Sequence, residues 1–289
     1  MIYATIPLQE GITNATITIY VPESCYGNEN RGGRPAVILC PGGAYMGITE
    51  KEAEPVALRF LSEGFCAFVL RYSIGAELAR FPSPFIDAAA AVRMVRENAG
   101  HWGIHPDKIG IGGFSTGGQV ATVLAATWRE DYFVRALMRD SIWYRPNALL
   151  LGYPLLDFDR FLLRNQGKSP EQDTLLQMLT QTTLGTAQPE KSMLEEWNVA
   201  NRVSPDMPPT FLWTTAEDQL ISPEDYEDFL RALTKHCIPH EFHVFEKGSH
   251  GVSLGDRTVG YSDEEIKGLG NTPEWAERAI HWVRQQLDV

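Results

Sequence analysis

Apolar runs alternate with amphipathic stretches along most of the chain. Residues 2–21 alternate between apolar and polar positions, with β-branched residues at every second position of "ATITIYV", which predicts an antiparallel hairpin. The continuous apolar run "PAVILC" (35–40) is typical of a strand buried on both faces of a sheet. Similar runs recur, each followed by a helical pattern. This alternation predicts an α/β fold with a mostly parallel, doubly wound sheet.

The remaining elements follow the same rhythm. Further strands are predicted in the runs 65–72, 108–115, 147–156, 210–218 and 240–248, and helices in 51–64, 83–100, from 117, 223–237 and 272–287. Residues 157–207 break the rhythm, because they contain helical stretches and prolines but no strand-like run. We therefore interpret the chain as one domain, residues 1–289, in which residues 157–207 form a helical insertion over the C-terminal edge of the sheet. We call residues 157–207 the cap segment.

One serine lies between glycines where a predicted strand meets a predicted helix. Residues 113–117 read Gly-Phe-Ser-Thr-Gly and match the pattern G-x-S-x-G. A turn this tight strains the backbone of the serine and leaves no room for side chains two residues away. It points the hydroxyl of Ser115 toward the open edge of the sheet, beside the positive end of the helix dipole. The pattern predicts that Ser115 is a nucleophile.

A serine nucleophile needs a base and a carboxylate that orients the base. His250 stands in the loop "KGSHG" directly after a predicted strand, at the edge where sites assemble in open α/β sheets, and we expect it to be the base. Glu217 and Asp218 both follow the preceding strand. Asp218 is favoured as the carboxylate, with Glu217 as the competitor. Asp225 and Asp228 belong to the next helix, where we expect them to be solvated.

The stretch "CPGGAYMG" follows the first buried strand and offers an oxyanion hole. Its paired glycines allow the backbone to approach a substrate closely. We expect the backbone N–H groups of Gly43, Ala44 and Thr116 to stabilise a tetrahedral oxyanion. Tyr45, beside this loop, is either a substrate contact on the alcohol side or a structural aromatic.

With Ser115, Asp218, His250 and the "PGGAY" loop in this order, the chain resembles an α/β-hydrolase. More narrowly, it resembles the small bacterial carboxylesterases of the hormone-sensitive-lipase-like and acetyl-xylan-esterase-like group, from about residue 15 to the C-terminus. The motifs "HPDKIGIGGFSTGGQVA", "FLWTTAEDQLIS" and "FEKGSHG" carry the resemblance. It implies Asp218 rather than Glu217 as the acid, and hydrolysis of short acyl esters, with acetylated sugars as a substrate class.

The chain departs from that family at two positions. Pro41 replaces the histidine that usually begins the oxyanion loop, a variant found in the acetyl-esterase-like branch. Thr116 replaces the alanine that usually follows the nucleophile. A non-catalytic ligand-binding relative, a lipase and a peptidase of the same fold are the alternative functions.

Composition and charge restrict the classes of binding partner and cofactor that we expect. A formal charge of −12 disfavours nucleic acids and anionic membranes. Four cysteines without a C-x-x-C pair suggest neither a zinc site nor a redox motif, and we expect Cys40 and Cys66 to be reduced core thiols. No metal or cofactor is implied. The N-terminus has no secretory pattern, so we expect a cytoplasmic protein. A homodimer is the candidate assembly.

The side chain of Thr116 generates a prediction about acyl length. Its extra methyl and hydroxyl groups are expected to narrow the pocket beside the nucleophile, so p-nitrophenyl acetate should be hydrolysed faster than p-nitrophenyl octanoate. Comparison of kcat/KM for the two esters tests this, and faster turnover of the octanoate would contradict it.

Overall fold

The computed structural model describes residues 1–8, 13–23 and 32–288, and shows an eight-stranded sheet within them. The strands are β1 (Ile2–Pro7), β2 (Thr16–Val21), β3 (Arg34–Cys40), β4 (Cys66–Arg71), β5 (Ile104–Phe114), β6 (Ala148–Gly152), β7 (Thr210–Thr215) and β8 (His240–Phe245). Their order in the sheet is β1-β2-β4-β3-β5-β6-β7-β8. The β1–β2 and β2–β4 pairs are antiparallel, and every other pair is parallel. The predicted N-terminal hairpin and the mostly parallel sheet are confirmed.

Helices follow most of the strands. They are α1 (Glu54–Ser62), α2 (Ser83–Glu97), α3 (Ala99–Trp102), α4 (Ser115–Thr127), α5 (Asp131–Leu137), α6 (Phe158–Asn165), α7 (Pro170–Leu184), α8 (Lys191–Glu196), α9 (Glu227–Lys235), α10 (Asp263–Gly268) and α11 (Trp275–Leu287). Short 3-10 helices cover Glu50–Glu52, Ser141–Tyr144, Val199–Arg202, Pro223–Tyr226, Arg257–Val259 and Thr272–Glu274. The sequence pattern did not predict α5, α6 or α10.

The sheet separates two apolar cores, because successive side chains of a strand point to opposite faces. On β3, Ile38 packs into the core that includes α2 and α4, whereas Val37 and Leu39 pack into the core that includes α1 and α11. All three side chains are buried. The continuous apolar runs of the sequence therefore do correspond to strands covered on both faces, as predicted. Cys40 and Cys66 lie in these cores as free thiols, and Cys25 lies outside the described residues.

The parallel register brings the carboxyl ends of the central strands to one edge. Cys40 of β3 pairs with Gly113 of β5, Phe114 pairs with Gly152 of β6, and Gly152 pairs with Trp213 of β7. The loops that follow these strands therefore emerge side by side. In open α/β sheets this is the edge at which ligands bind.

The cap segment contains α6, α7, α8 and the 3-10 helix Val199–Arg202, between β6 and β7. It is tied to the region before α9 by Arg164, whose guanidinium donates two hydrogen bonds to the carboxylate of Asp225, at 3.1 and 2.8 Å. Asp225 also accepts from the N–H of Ser222 and is buried. The expectation of a solvated Asp225 is therefore wrong. Asp228 is half exposed and pairs with Arg160 at 2.6 Å. A cap over the site edge stays a prediction.

Among residues 1–8, 13–23 and 32–288, none of the helices combines the length and the hydropathy that a bilayer crossing requires.

Candidate active site

Ser115 lies at a sharp turn between β5 and α4. Its φ angle of +50° is in the left-handed region, which costs a non-glycine residue about 1–3 kcal/mol. The turn closes because Gly113 and Gly117 have no side chains. A methyl group on Gly113 would overlap the backbone of Gly117, and one on Gly117 would overlap the carbonyl groups of Cys40 and Pro41. The strain predicted for this turn is therefore present.

Three residues from separate segments form one line of contacts at this turn. The Nε2 atom of His250 lies 2.9 Å from the Oγ atom of Ser115. On the other side of the ring, Nδ1 lies 2.7 Å from Oδ2 of Asp218. With Nδ1–H donating to the carboxylate, Nε2 is left as the acceptor for the serine proton. Ser115, His250 and Asp218 thus form a continuous hydrogen-bonded chain across 135 positions of sequence.

The backbone selects Asp218 over its neighbour Glu217. The second carboxylate oxygen of Asp218, Oδ1, accepts from the N–H groups of Leu220 and Ile221, both at 2.9 Å. These bonds turn Oδ2 toward the histidine. Glu217 points away, because it accepts from Lys247 at 3.0 Å and from the N–H of Gly248 at 3.1 Å. These two contacts lower the pKa of Glu217.

The predicted oxyanion donors lie next to the serine, but they are not equally free. The N–H of Gly43 has no hydrogen-bond partner among the described residues. Thr116 is the second residue of α4, where an N–H has no acceptor within the helix. The N–H of Ala44, however, donates to the Oγ1 atom of Thr116 at 3.1 Å. Two of the three predicted donors are therefore available, and the third is engaged by the neighbouring hydroxyl.

Tyr45 is a structural aromatic in this fold. Its side chain has no exposed surface, and its hydroxyl donates to Oε1 of Gln119 at 2.8 Å. The ring packs edge-on against Tyr72 and Phe81, with ring centroids 5.8 and 5.2 Å away. The suggested substrate contact is contradicted, because a fully buried ring does not reach an ester at the site. The sequence placed Tyr45 beside the loop but contained no signal for the direction of its ring.

Sequence reasoning missed a buried carboxylate beside the site. Glu52 is 2% exposed, although it stands in the acidic stretch "TEKEAE", which reads as a solvated surface. Its Oε2 accepts from the N–H of Gly42 and its Oε1 accepts from the hydroxyl of Tyr153, both at 2.8 Å. Burial raises the pKa of Glu52 above its usual value, although both hydrogen bonds oppose that rise.

Comparison with known proteins gives consistent relatives. The BD-FAE family model matches residues 18–233. Over 225 residues, 77% of this chain, the sequence is 30% identical to endo-1,4-beta-xylanase B of Butyrivibrio fibrisolvens, covering 33% of that protein. Over 264 residues, 86% of this chain, it is 25% identical to acetylxylan esterase of Xylanibacter ruminicola, covering 46% of it. The chain thus spans between a third and a half of these curated relatives.

Two solved structures match over at least 96% of their length. The acetyl ester-xyloside bifunctional hydrolase from Caldicellulosiruptor lactoaceticus is 28% identical, with a TM-score of 0.75 and coverage of 98% of this chain and 96% of that one. MGS-M1, an alpha/beta hydrolase enzyme from a deep-sea metagenome library of the Medee basin, is 32% identical, with a TM-score of 0.75 and coverage of 100% and 99%. Both agree with the architecture described above.

The arrangement of the two adjacent acids generates a matched pair of variants. We expect Asp218→Asn to lower kcat for p-nitrophenyl acetate by about 1,000- to 10,000-fold, because an amide at this position favours the wrong tautomer of the base. Glu217→Gln keeps an acceptor for the N–H of Gly248 and should retain kcat within about twofold. Steady-state kinetics of both variants measures this, and an equal loss in the two would contradict the assignment of the acid.

Proposed function

The chain belongs to the BD-FAE family and has the α/β-hydrolase fold, and on that basis we propose that it is a serine carboxylesterase acting on short acyl esters. The observation that carries the proposal is the hydrogen-bonded chain from Ser115 through His250 to Asp218, at 2.9 and 2.7 Å. A hydroxyl in contact with a neutral imidazole, itself oriented by a carboxylate, is the arrangement that activates serine for acyl transfer.

The proposed reaction begins with proton transfer from Oγ of Ser115 to Nε2 of His250 while Oγ attacks the ester carbonyl carbon. Asp218 keeps the ring oriented and stabilises the imidazolium that forms. The carbonyl oxygen becomes an oxyanion and accepts from the N–H groups of Gly43 and Thr116. The N–H of Ala44 joins them when it releases the hydroxyl of Thr116. The start of α4 adds favourable dipole potential.

Collapse of the tetrahedral intermediate breaks the bond to the alcohol oxygen, which takes the proton from His250. The acyl group then remains on Ser115. A water molecule gives its proton to Nε2 of His250 and attacks the acyl carbon, and the second tetrahedral intermediate releases the carboxylic acid and restores the serine hydroxyl. This chain therefore supplies nucleophile, base and oxyanion donors from its own residues.

Acetylated sugars or oligosaccharides are the proposed substrate class. Support comes from relatives named acetylxylan esterase and acetyl ester-xyloside bifunctional hydrolase, at 25% and 28% identity. A small-molecule ester is the partner that this proposal requires. The cytoplasmic location and the homodimer considered from the sequence stay predictions.

Removal of the nucleophile tests the proposed function. Ser115→Ala should lower kcat for p-nitrophenyl acetate and for acetylated xylo-oligosaccharides by at least about 1,000-fold, because the attacking oxygen is lost. Ser62→Ala, at an exposed serine of α1, is the matched control and should retain full activity. Circular dichroism and thermal unfolding establish that both variants fold. Undiminished turnover by a folded Ser115→Ala protein would refute the proposal.

A further inference from the structure

A buried network links the two loops that flank Ser115. Glu52, at the end of the 3-10 helix Glu50–Glu52, accepts from the N–H of Gly42 through one oxygen and from the hydroxyl of Tyr153 through the other. The hydroxyl of Tyr153 in turn accepts from the N–H of Ser253, at 3.0 Å, in the loop that carries His250. The hydrogen bonds of Glu52 and Tyr153 therefore connect four segments of the chain, those of Gly42, Glu52, Tyr153 and Ser253.

The first arm of this network holds the oxyanion loop. In the peptide unit between Pro41 and Gly42, the carbonyl oxygen accepts from the hydroxyl of Tyr72 at 2.9 Å and the N–H donates to Glu52 at 2.8 Å. Both polar ends of this peptide are thus fixed. A methyl group on Gly42 would lie 2.9 Å from Oε2 of Glu52 and 3.0 Å from Cβ of Ser115. The peptide that precedes the free N–H of Gly43 is therefore held between the carboxylate and the nucleophile.

The second arm holds the base. The ring of Tyr153 packs edge-on against the ring of His250, with centroids 5.0 Å apart. In the same loop, the Oγ of Ser253 donates to the carbonyl of Lys51, the residue before Glu52, at 2.6 Å. A methyl group on Gly251 would lie 3.9 Å from Oε1 of Glu52, so the carboxylate is also close to the backbone beside His250.

The hydrogen bonds around Glu52 indicate that its carboxylate is ionised in the active, folded protein. The N–H of Gly42 only donates, and the hydroxyl of Tyr153 directs its proton to Glu52 because its oxygen accepts from Ser253. Both carboxylate oxygens therefore face donors. The titratable groups around Glu52 are Lys51, Tyr72, Tyr153 and His250. None of them forms a salt bridge with Glu52 within the described part of the chain.

We propose that Glu52 is a positioning residue for acyl transfer, which fixes the oxyanion loop through Gly42 and the His250 loop through Tyr153, and whose negative charge favours the imidazolium formed during the reaction. This inference rests on the proposed function. His250 faces Asp218 directly and packs against the ring of Tyr153, while Glu52 and Lys51 lie close to the adjacent Gly251. A second carboxylate nearby attracts the positive charge that develops on the ring during acyl transfer.

Glu52→Gln separates this role from a merely structural one. A glutamine can accept from the N–H of Gly42 and donate to the hydroxyl oxygen of Tyr153, so it keeps both contacts and loses the charge, although the Tyr153 bond reverses and the hydroxyl proton of Tyr153 loses its acceptor. We expect kcat for p-nitrophenyl acetate at about pH 8 to fall about 10-fold, less than for loss of a direct oxyanion donor, with KM changed less than about twofold. The acidic midpoint of the pH profile of kcat/KM should move to lower pH, by about 0.5 unit.

The free energy of unfolding of Glu52→Gln should also depend on pH differently from that of the wild type. Because burial raises the pKa of Glu52, the unfolded chain loses this proton first as pH rises, and the carboxylate then lowers the free energy of unfolding. The stability of Glu52→Gln relative to the wild type should therefore rise between about pH 5 and about pH 8. Asp87→Asn is the matched control, a buried carboxyl that accepts from the N–H of Ser73 and also has its pKa raised by burial. It should leave kcat and the pH profile unchanged.

The outcomes are separable. An inactive wild type would refute the proposed function itself. An active wild type together with a Glu52→Gln variant that keeps its kcat and its pH midpoint would overturn only the role of Glu52. Tyr153→Phe is the second variant, should Glu52→Gln not fold, and is compared with Tyr144→Phe, whose buried hydroxyl donates to the carbonyl of Arg139 at 2.7 Å. Tyr153→Phe should lower kcat about 10-fold and Tyr144→Phe should not, and equal kcat in the two would also overturn the proposal.

Discussion

The close approach of backbone to backbone at Ser115 is the constraint on which the site depends. The start of α4 is pressed against the end of β3 so tightly that a side chain on Gly117 would overlap the carbonyl groups of Cys40 and Pro41. This contact forces Ser115 into the left-handed region, at φ +50°, and places the oxyanion loop directly beside it. The strain is maintained by a sheet buried on both faces, because the cores on either side leave the turn no room to relax.

Around that turn, N–H and O–H groups donate hydrogen bonds to the two buried carboxylates, and neither carboxylate pairs with a lysine or an arginine among the described residues. Asp218 is held by two N–H groups on one oxygen and reaches His250 with the other. Glu52 is held by one N–H and one hydroxyl, in an interior position where its ionised form is costly. Two buried carboxylates thus lie close to His250, Asp218 in contact with its ring and Glu52 beside the backbone of Gly251. In the proposed mechanism, this arrangement costs stability and supplies a favourable potential where positive charge develops.

Local patterns predicted the strands, Ser115 and His250, and favoured Asp218 while leaving Glu217 as its competitor. Ser115 was predictable because the glycine spacing of a strained turn is a property of five consecutive positions, and His250 because it follows a strand in a glycine-rich loop. The direction of a side chain was not predictable in the same way. The ring of Tyr45 is directed into the core, the buried Asp225 pairs with the partly exposed Arg164, and Glu52 has hydrogen-bond partners 10 and 101 positions away. Helices α5, α6 and α10 escaped prediction because segments of six to eight residues show too few turns for a periodic signal.

The central claim is that His250 activates Ser115 as a nucleophile. Reaction with diethyl p-nitrophenyl phosphate, followed by peptide mapping in the mass spectrometer, tests it without any assumption about the natural substrate. The account predicts a phosphoryl label on Ser115, formed at least about 100-fold more slowly in a folded His250→Ala variant because the base is gone. Label on a different residue, or labelling of Ser115 at the wild-type rate without His250, would contradict it.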